Sequence, residues 1–200
     1  MKALAGSLLS ILFLLLPACS PLSPPPPTDP AFASLSIHSV AVGPVSYATY
    51  QPNSQCSAFI DDDLRSALVR KLRLRGYDAF TVGNSEPRSF SDGSPPPSPG
   101  DPPPAEPMQS PGAQSLLMLW IDEYWEHNPC GVTEAGNPTI TMGAVAVLYA
   151  GSPLVEVWRS RAQIEQSGSA DRDLIWLTTT RLTDQLLGPW PAGPEWIEKR

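Results

Sequence analysis

The sequence is short of charge, histidine and cysteine. Charged residues make up 16% of the chain, with 2 histidines and 3 cysteines in 200 residues. Basic residues are the scarcer sign, 13 against 20 acidic, for a formal net charge of −7. An acidic chain of this kind is a poor partner for nucleic acid and lacks a polybasic grip on anionic headgroups. The cysteines form no CxxC pair, and His38 and His127 stand alone. No zinc-type ligand set is therefore expected, and no metal or other cofactor. GxSxG, HExxH, P-loop and GxGxxG patterns are all missing, and no catalytic residues are assigned. The chain also lacks an apolar run of the roughly 20 residues that a membrane-spanning helix requires.

What is abundant is proline, 25 residues, and it is clustered. Clustering marks linkers rather than a chain disordered throughout. One cluster, Ser20 to Pro30 (SPLSPPPPTDP), favours extended polyproline II and reads as a semi-rigid spacer. The other lies in Gly83 to Gly112, which contains nothing able to build a core and reads as a long disordered or extended surface loop. A Pro-rich docking peptide for a partner is the alternative reading of that insertion.

Before the first cluster, Lys2 precedes an apolar run from Leu8 to Leu16. This is a charged n-region and an h-region, apolar on all sides except Ser10, and it reads as a signal peptide. Leu16-Pro17-Ala18-Cys19 then resembles a bacterial lipobox. That resemblance implies cleavage before Cys19, acylation of its thiol and new amine, and membrane contact through the acyl chains. Two or more chains hold a protein stably where one does not. Ser20, in place of an aspartate, fits release to the outer membrane, facing the periplasm. Loss of residues 1–18 removes Lys2 and makes the mature chain one unit more acidic. Cys56 and Cys130 remain, an even pair in an oxidising compartment, and are expected to be disulfide-bonded. The loop closed would be about 75 residues, for which chain entropy gives roughly 4 kcal/mol at best. Two free buried thiols are the alternative.

Five strands and two helices are legible in the remainder. Leu35 to Ser46 is a strand rich in β-branched residues, ended by Gly43-Pro44. Ser54 to Arg75 is a helix with Ile60, Leu64, Ala67, Leu68 and Leu72 on one face. Asp61, Asp62 and Asp63 begin it, basic residues end it, and Gly76 stops it. Three consecutive helix residues point about 100° apart, so the aspartates read as a solvated helix start, not a metal site. Tyr77 to Val82 returns as a strand, and strand–helix–strand implies a parallel pair with a right-handed crossover. Gln114 to His127 is apolar on both faces, as a central strand is. Thr139 to Ala150 follows, then Leu154 to Gln166, more polar and edge-like. Ala170 to Leu187 is the second helix. The tail beyond Gly188 reads as loose, with Trp190 and Trp196 able to dock.

The expected organisation is thus a signal peptide (1–18), a tether (19–34), one α+β domain (35–187) with an insertion (83–112), and a tail (188–200). Two helices should pack on one face of a mixed five-stranded sheet, in the order β-α-β, long loop, β-β-β, α. The phrases at Ser39 to Pro44 (SVAVGP), Asp63 to Leu68 (DLRSAL), Arg75 to Asp78 (RGYD) and the hairpin joining Leu148-Tyr149 to Glu156 to Arg159 (EVWR) resemble small bacterial lipoproteins with a TolB-N-terminal-like fold. That loose group includes auxiliary lipoproteins of envelope lipid transporters, activators of penicillin-binding proteins and uncharacterised lipoproteins. The resemblance spans about residues 36–187 outside the insertion. It implies a domain that binds an envelope protein partner and performs no chemistry.

Candidate contact residues are Trp120, Tyr124 and Trp125, an aromatic group of the kind that anchors protein interfaces. Core and cross-strand packing is the competing explanation for them. By alternation Asp122, Tyr124 and Glu126 should share one face of their strand, and Glu123, Trp125 and His127 the other. The function expected is an accessory or adaptor protein of an envelope complex. A lipid- or glycan-binding carrier is the alternative, and would require a hollow core.

Overall fold

The computed structural model describes residues 32, 35–48, 59–83, 95–101, 113–127, 138–168 and 172–191. Cys19, Cys56, Cys130, Trp196 and the parts of the tether and insertion outside these ranges lie outside the described residues, as does the expected first turn of the first helix.

The elements are β1 (Ser39–Tyr47), α1 (Ile60–Leu74), β2 (Asp78–Thr81), β3 (Ser115–His127), β4 (Thr139–Ala150), β5 (Val155–Ser167) and α2 (Arg172–Leu186). The strands form one sheet in the order β2-β1-β3-β4-β5. β1 runs parallel to both β2 and β3, while β3, β4 and β5 are an antiparallel meander. This is the mixed five-stranded α+β architecture the sequence implied, with both helices on one face and β5 at the edge.

The apolar stripe of α1 drives it onto the sheet: Ile60, Leu64, Leu68 and Leu72 are fully buried against Val40, Val42, Leu117 and Leu119. Backbone bonds from Arg75 and Tyr77 to the Leu72 carbonyl close the helix and feed the chain into β2. α2 buries Leu174, Ile175, Leu182 and Leu186 on the same layer. Its interior threonines turn inward without penalty, because the hydroxyls of Thr178 and Thr183 donate to the carbonyls of Leu174 and Thr179 at 2.6 Å.

Two irregularities shape the sheet. Pro44 has no N–H to give the ladder, and the β1–β3 register shifts between Val42 and Val45. The Val45 N–H donates instead to Asp61 Oδ1, at 2.9 Å, from the start of α1. Asp61 is therefore not a solvated helix-start residue. It is half-buried and joins helix to strand.

The second irregularity is a bulge in β3. Ile121 pairs with Ala144 and Glu123 with Gly143, so Asp122 is the extra residue. A Cβ on Gly143 would lie 2.9 Å from Asp122 Oδ1, and glycine is what allows the bulged side chain to sit there. Beyond the bulge the alternation reverses. Tyr124 joins Leu117, Leu119 and Ile121 in the helix-side core. Asp122 therefore does not share the face expected for it with Tyr124 and Glu126, while those two still share one, Tyr124 donating to Glu126.

The first and last described segments meet at one end of the sheet. Trp190 is 4% exposed. Its ring makes edge contacts with Phe32 at 5.4 Å, Tyr77 at 5.9 Å and Trp158 at 4.6 Å. The Arg75 guanidinium donates to the Trp190 carbonyl at 2.8 Å and to that of Leu187. The tail thus docks at Trp190, and Phe32, from the expected tether, belongs to the packed body.

Candidate functional site

The opposite end of the sheet carries the candidate site, on the face that no helix covers. Trp125 is 69% exposed there. The bulge at Asp122 puts it in one row with Thr141 of β4 and Glu165 of β5. Glu123, Gly143 and Gln163 form the row before it, and His127, Thr139 and Ser167 the row after. The Thr139 and Ser167 hydroxyls are 2.9 Å apart. Asp122 and Arg161 border the patch, with Arg161 Nε donating to Asp122 Oδ2 at 2.8 Å. That bond, with the charge of Asp122, holds the Arg161 guanidinium above its ordinary range.

The surface is one large, rigid aromatic ring surrounded by short hydroxyls and carboxylates. Such a ring offers contact area at little entropic cost, and a polar rim sets orientation. Among the described residues, no three His, Cys, Asp or Glu side chains gather where they could hold a metal ion.

The three aromatic residues expected to act together do not. Trp120 is 3% exposed and Tyr124 7% exposed. Trp120 packs with Leu116, Val145, Val147 and Tyr149 in a second apolar cluster on the face away from the helices. Tyr124 lies on the helix side, where its hydroxyl donates to the Glu126 carboxylate. Burial first, then that hydrogen bond and the Glu126 charge, push the Tyr124 phenol far above its ordinary range. Tyr47 is pushed up beside it, by burial and by the charge of Asp61. The contact reading survives for Trp125 alone, and the packing reading holds for the other two. The signal that could have separated them is in the sequence: an aspartate inside an apolar strand and a glycine inside its neighbour mark a bulge.

Sequence reasoning also missed Arg65, which is 4% exposed. Its guanidinium donates to the Val82 carbonyl at 2.7 Å and stands 3.8 Å from Asp61. It ties the end of β2 and the β1 irregularity to one helix. A second pair, Glu156 with Arg159, is bidentate at 2.8 and 2.7 Å on the uncovered face of β5. The Arg159 hydrogen bonds hold the Glu156 carboxyl below its usual range against the opposing effect of burial.

Fold and surface together define the class: a two-layer α+β domain with one bare sheet end that presents a lone tryptophan. No protein-family model matches the chain, and no curated protein matches it. Among solved structures it is similar to the PelC dodecamer from Paraburkholderia phytofirmans, at 19% identity and TM-score 0.45, over 79% of this chain and 92% of that one. Protein XCC0632 from Xanthomonas campestris is similar at 12% identity and TM-score 0.47, over 88% and 94%. Lipoprotein GNA1162 from Neisseria meningitidis is similar at 17% identity and TM-score 0.42, over 75% and 98%. At TM-scores below 0.5 these likenesses carry neither a fold assignment nor a function to this chain, and none of the three is described as TolB-like.

Proposed function

We propose that the chain is a non-catalytic, lipid-anchored accessory or adaptor protein of a bacterial envelope complex, held at the outer membrane and facing the periplasm. The anchor comes from the lipobox at Leu16 to Cys19 and the spacer from the prolines behind it. The observation that carries the adaptor reading is polarity along the sheet. On this reading the chain enters the body at Phe32, packed on Trp190, which also meets Tyr77 just before β2 and Trp158 near the start of β5. Trp125 stands ten residues along β3 from Ser115, about 33 Å at 3.3 Å per residue. Phe32, the described residue nearest the proposed anchor in sequence, and the exposed ring are thus at opposite ends, and on this reading Trp125 is the surface turned to a partner.

The carrier reading needs a hollow layer between helices and sheet. Leu64, Leu68, Leu117, Leu119, Leu148 and Leu182, all fully buried, fill that layer with side chains.

In-cell crosslinking followed by affinity purification tests the proposal, comparing wild type, Cys19→Ala and Trp125→Ala. A stoichiometric envelope protein recovered with wild type and lost with both variants is the expected result. Equal recovery with Trp125→Ala would remove the sheet end from the interface. No partner from any form would overturn the adaptor reading, and mass spectrometry of the purified protein for bound lipid or glycan would then decide for the carrier.

A further inference from the structure

The uncovered face is not bare along its whole length. At the end away from Trp125, Leu116, Trp120, Val145, Val147 and Tyr149 form a cluster separate from the main core, with Met118 and Leu154 packed against it. Among the described residues no helix lies there, yet Tyr149 is 0% exposed. The part of the Pro-rich insertion that the structure describes, residues 95–101, reaches the border of this region at Gly100 and Asp101. The Gly100 N–H donates to Glu156 Oε2 at 3.3 Å, and Glu156 pairs with Tyr149 in the β4–β5 register. Glu156 is itself fixed by the bidentate Arg159. Pro96 and Pro97 are half-buried.

The segment is shaped for this seat. Its prolines fix an extended backbone with little entropy left to lose on docking. Ser98 N–H donates to Asp101 Oδ2 at 2.6 Å, and Asp101 N–H to the Ser98 carbonyl at 3.0 Å, closing a tight turn. Gly100 supplies the turn's φ of +87°, which a side chain would strain. Burial, the Glu156 charge and the Asp101 charge all raise the Tyr149 phenol, in agreement with Asp101 lying close by.

We propose that this face is a binding site for a proline-run peptide, built from the Trp120–Tyr149 cluster and the Glu156–Arg159 pair, and filled in cis by Pro95–Asp101. Aromatic residues on a firm surface are how extended Pro-rich segments are read. The insertion is then an intramolecular ligand, and the inference stands independently of the adaptor reading.

The test uses the mature chain with residues 95–101 replaced by a Gly/Ser linker of equal length. The probe is a synthetic peptide of residues 93–103, followed by calorimetry. The replaced chain should bind it saturably, and wild type, whose site is filled, should bind about tenfold more weakly or worse. Arg159→Ala in the replaced chain should weaken binding about tenfold, the share of a charge-assisted hydrogen bond. A folded replaced chain that does not bind, or equal binding by wild type, would overturn the proposal. Should the replaced chain not fold, Glu156→Ala in the intact protein, which removes the acceptor, gives the second readout. Faster hydrogen exchange at the Gly100 amide by about tenfold supports the cis contact. An unchanged rate rejects it.

Discussion

At the scale of single residues, the charged groups of this domain act mainly as ties between elements. Glu156 shows how that can be measured. Its carboxyl is held below the ordinary glutamate value of 4.5 by Arg159. A depressed carboxylate contributes stability that is complete above the unfolded value and is lost as pH falls through the folded one. Glu156→Gln should therefore cost about 1 kcal/mol at neutral pH. The gap to wild type in urea midpoints should close below about pH 4. A gap that persisted there would show that packing, not charge, holds the pair. Asp61 has the opposite sign. Burial raises its carboxyl, although the Val45 N–H and Arg65 oppose that, so its own ionisation works against the fold as pH rises. Its hydrogen bond still matters, because it holds the Val45 N–H of the irregular part of β1 to the start of α1. Asp61→Ala should cost about 1–3 kcal/mol by leaving that donor unmet, and Asp61→Asn should recover part of it in chemical denaturation. At this scale the sequence was least legible. Nothing in the spacing of three aspartates says which one meets a strand broken by Pro44. Nor does the sequence separate Trp120, Tyr124 and Trp125, grouped as one set of contact candidates, because the bulge at Asp122 turns Tyr124 into the helix-side core.

At the scale of elements, the helices and strands were read correctly because each carries a period its layer demands. The stripe from Ile60 to Leu72 repeats with the helix and is buried along its whole length. β4 is apolar on both faces because one face meets the helices and the other meets the second cluster. What periodicity cannot carry is the joint between elements. Trp190 follows α2, stands beyond Pro189, and belongs to no repeat, yet it links the ends of both helices to the N-terminal Phe32. Its contacts are long-range, so no local pattern announces them. Trp190→Ala should cost about 3–5 kcal/mol, the range for emptying a buried aromatic site. It should also raise the hydrogen-exchange rate of the last turns of α1 and α2 more than that of β3 and β4. A uniform loss of protection would make Trp190 an ordinary core residue and not a clamp on the chain ends.

At the scale of the whole molecule, topology bears on the cysteines even though neither lies among the described residues. β1 and β3 are parallel neighbours, with Tyr47 beside Ile121. The chain leaves both strands at the same end of the sheet, the end that carries Trp125. Cys56 sits three residues before Phe59, which leads into α1, and Cys130 three residues after His127. Asp61 bonds to Val45, so the start of α1 also lies at that end. The described residues that flank the two cysteine-bearing segments, Ala48, Phe59 and His127, thus lie at one end of the sheet, although 74 positions separate the cysteines in sequence. A bridge between them would staple the connections flanking the exposed tryptophan, where the sheet itself gives least support. Non-reducing peptide mapping of protein isolated from the envelope should find Cys56 joined to Cys130. Reduction should then lower stability by up to about 4 kcal/mol, the entropy of opening a loop of that length. Part of that loss should appear as weaker partner capture, since the bridge would tie together segments that depart from the end of the sheet carrying Trp125. Two free thiols in the isolated protein would reject the bridge and leave the rim to be ordered by the partner alone.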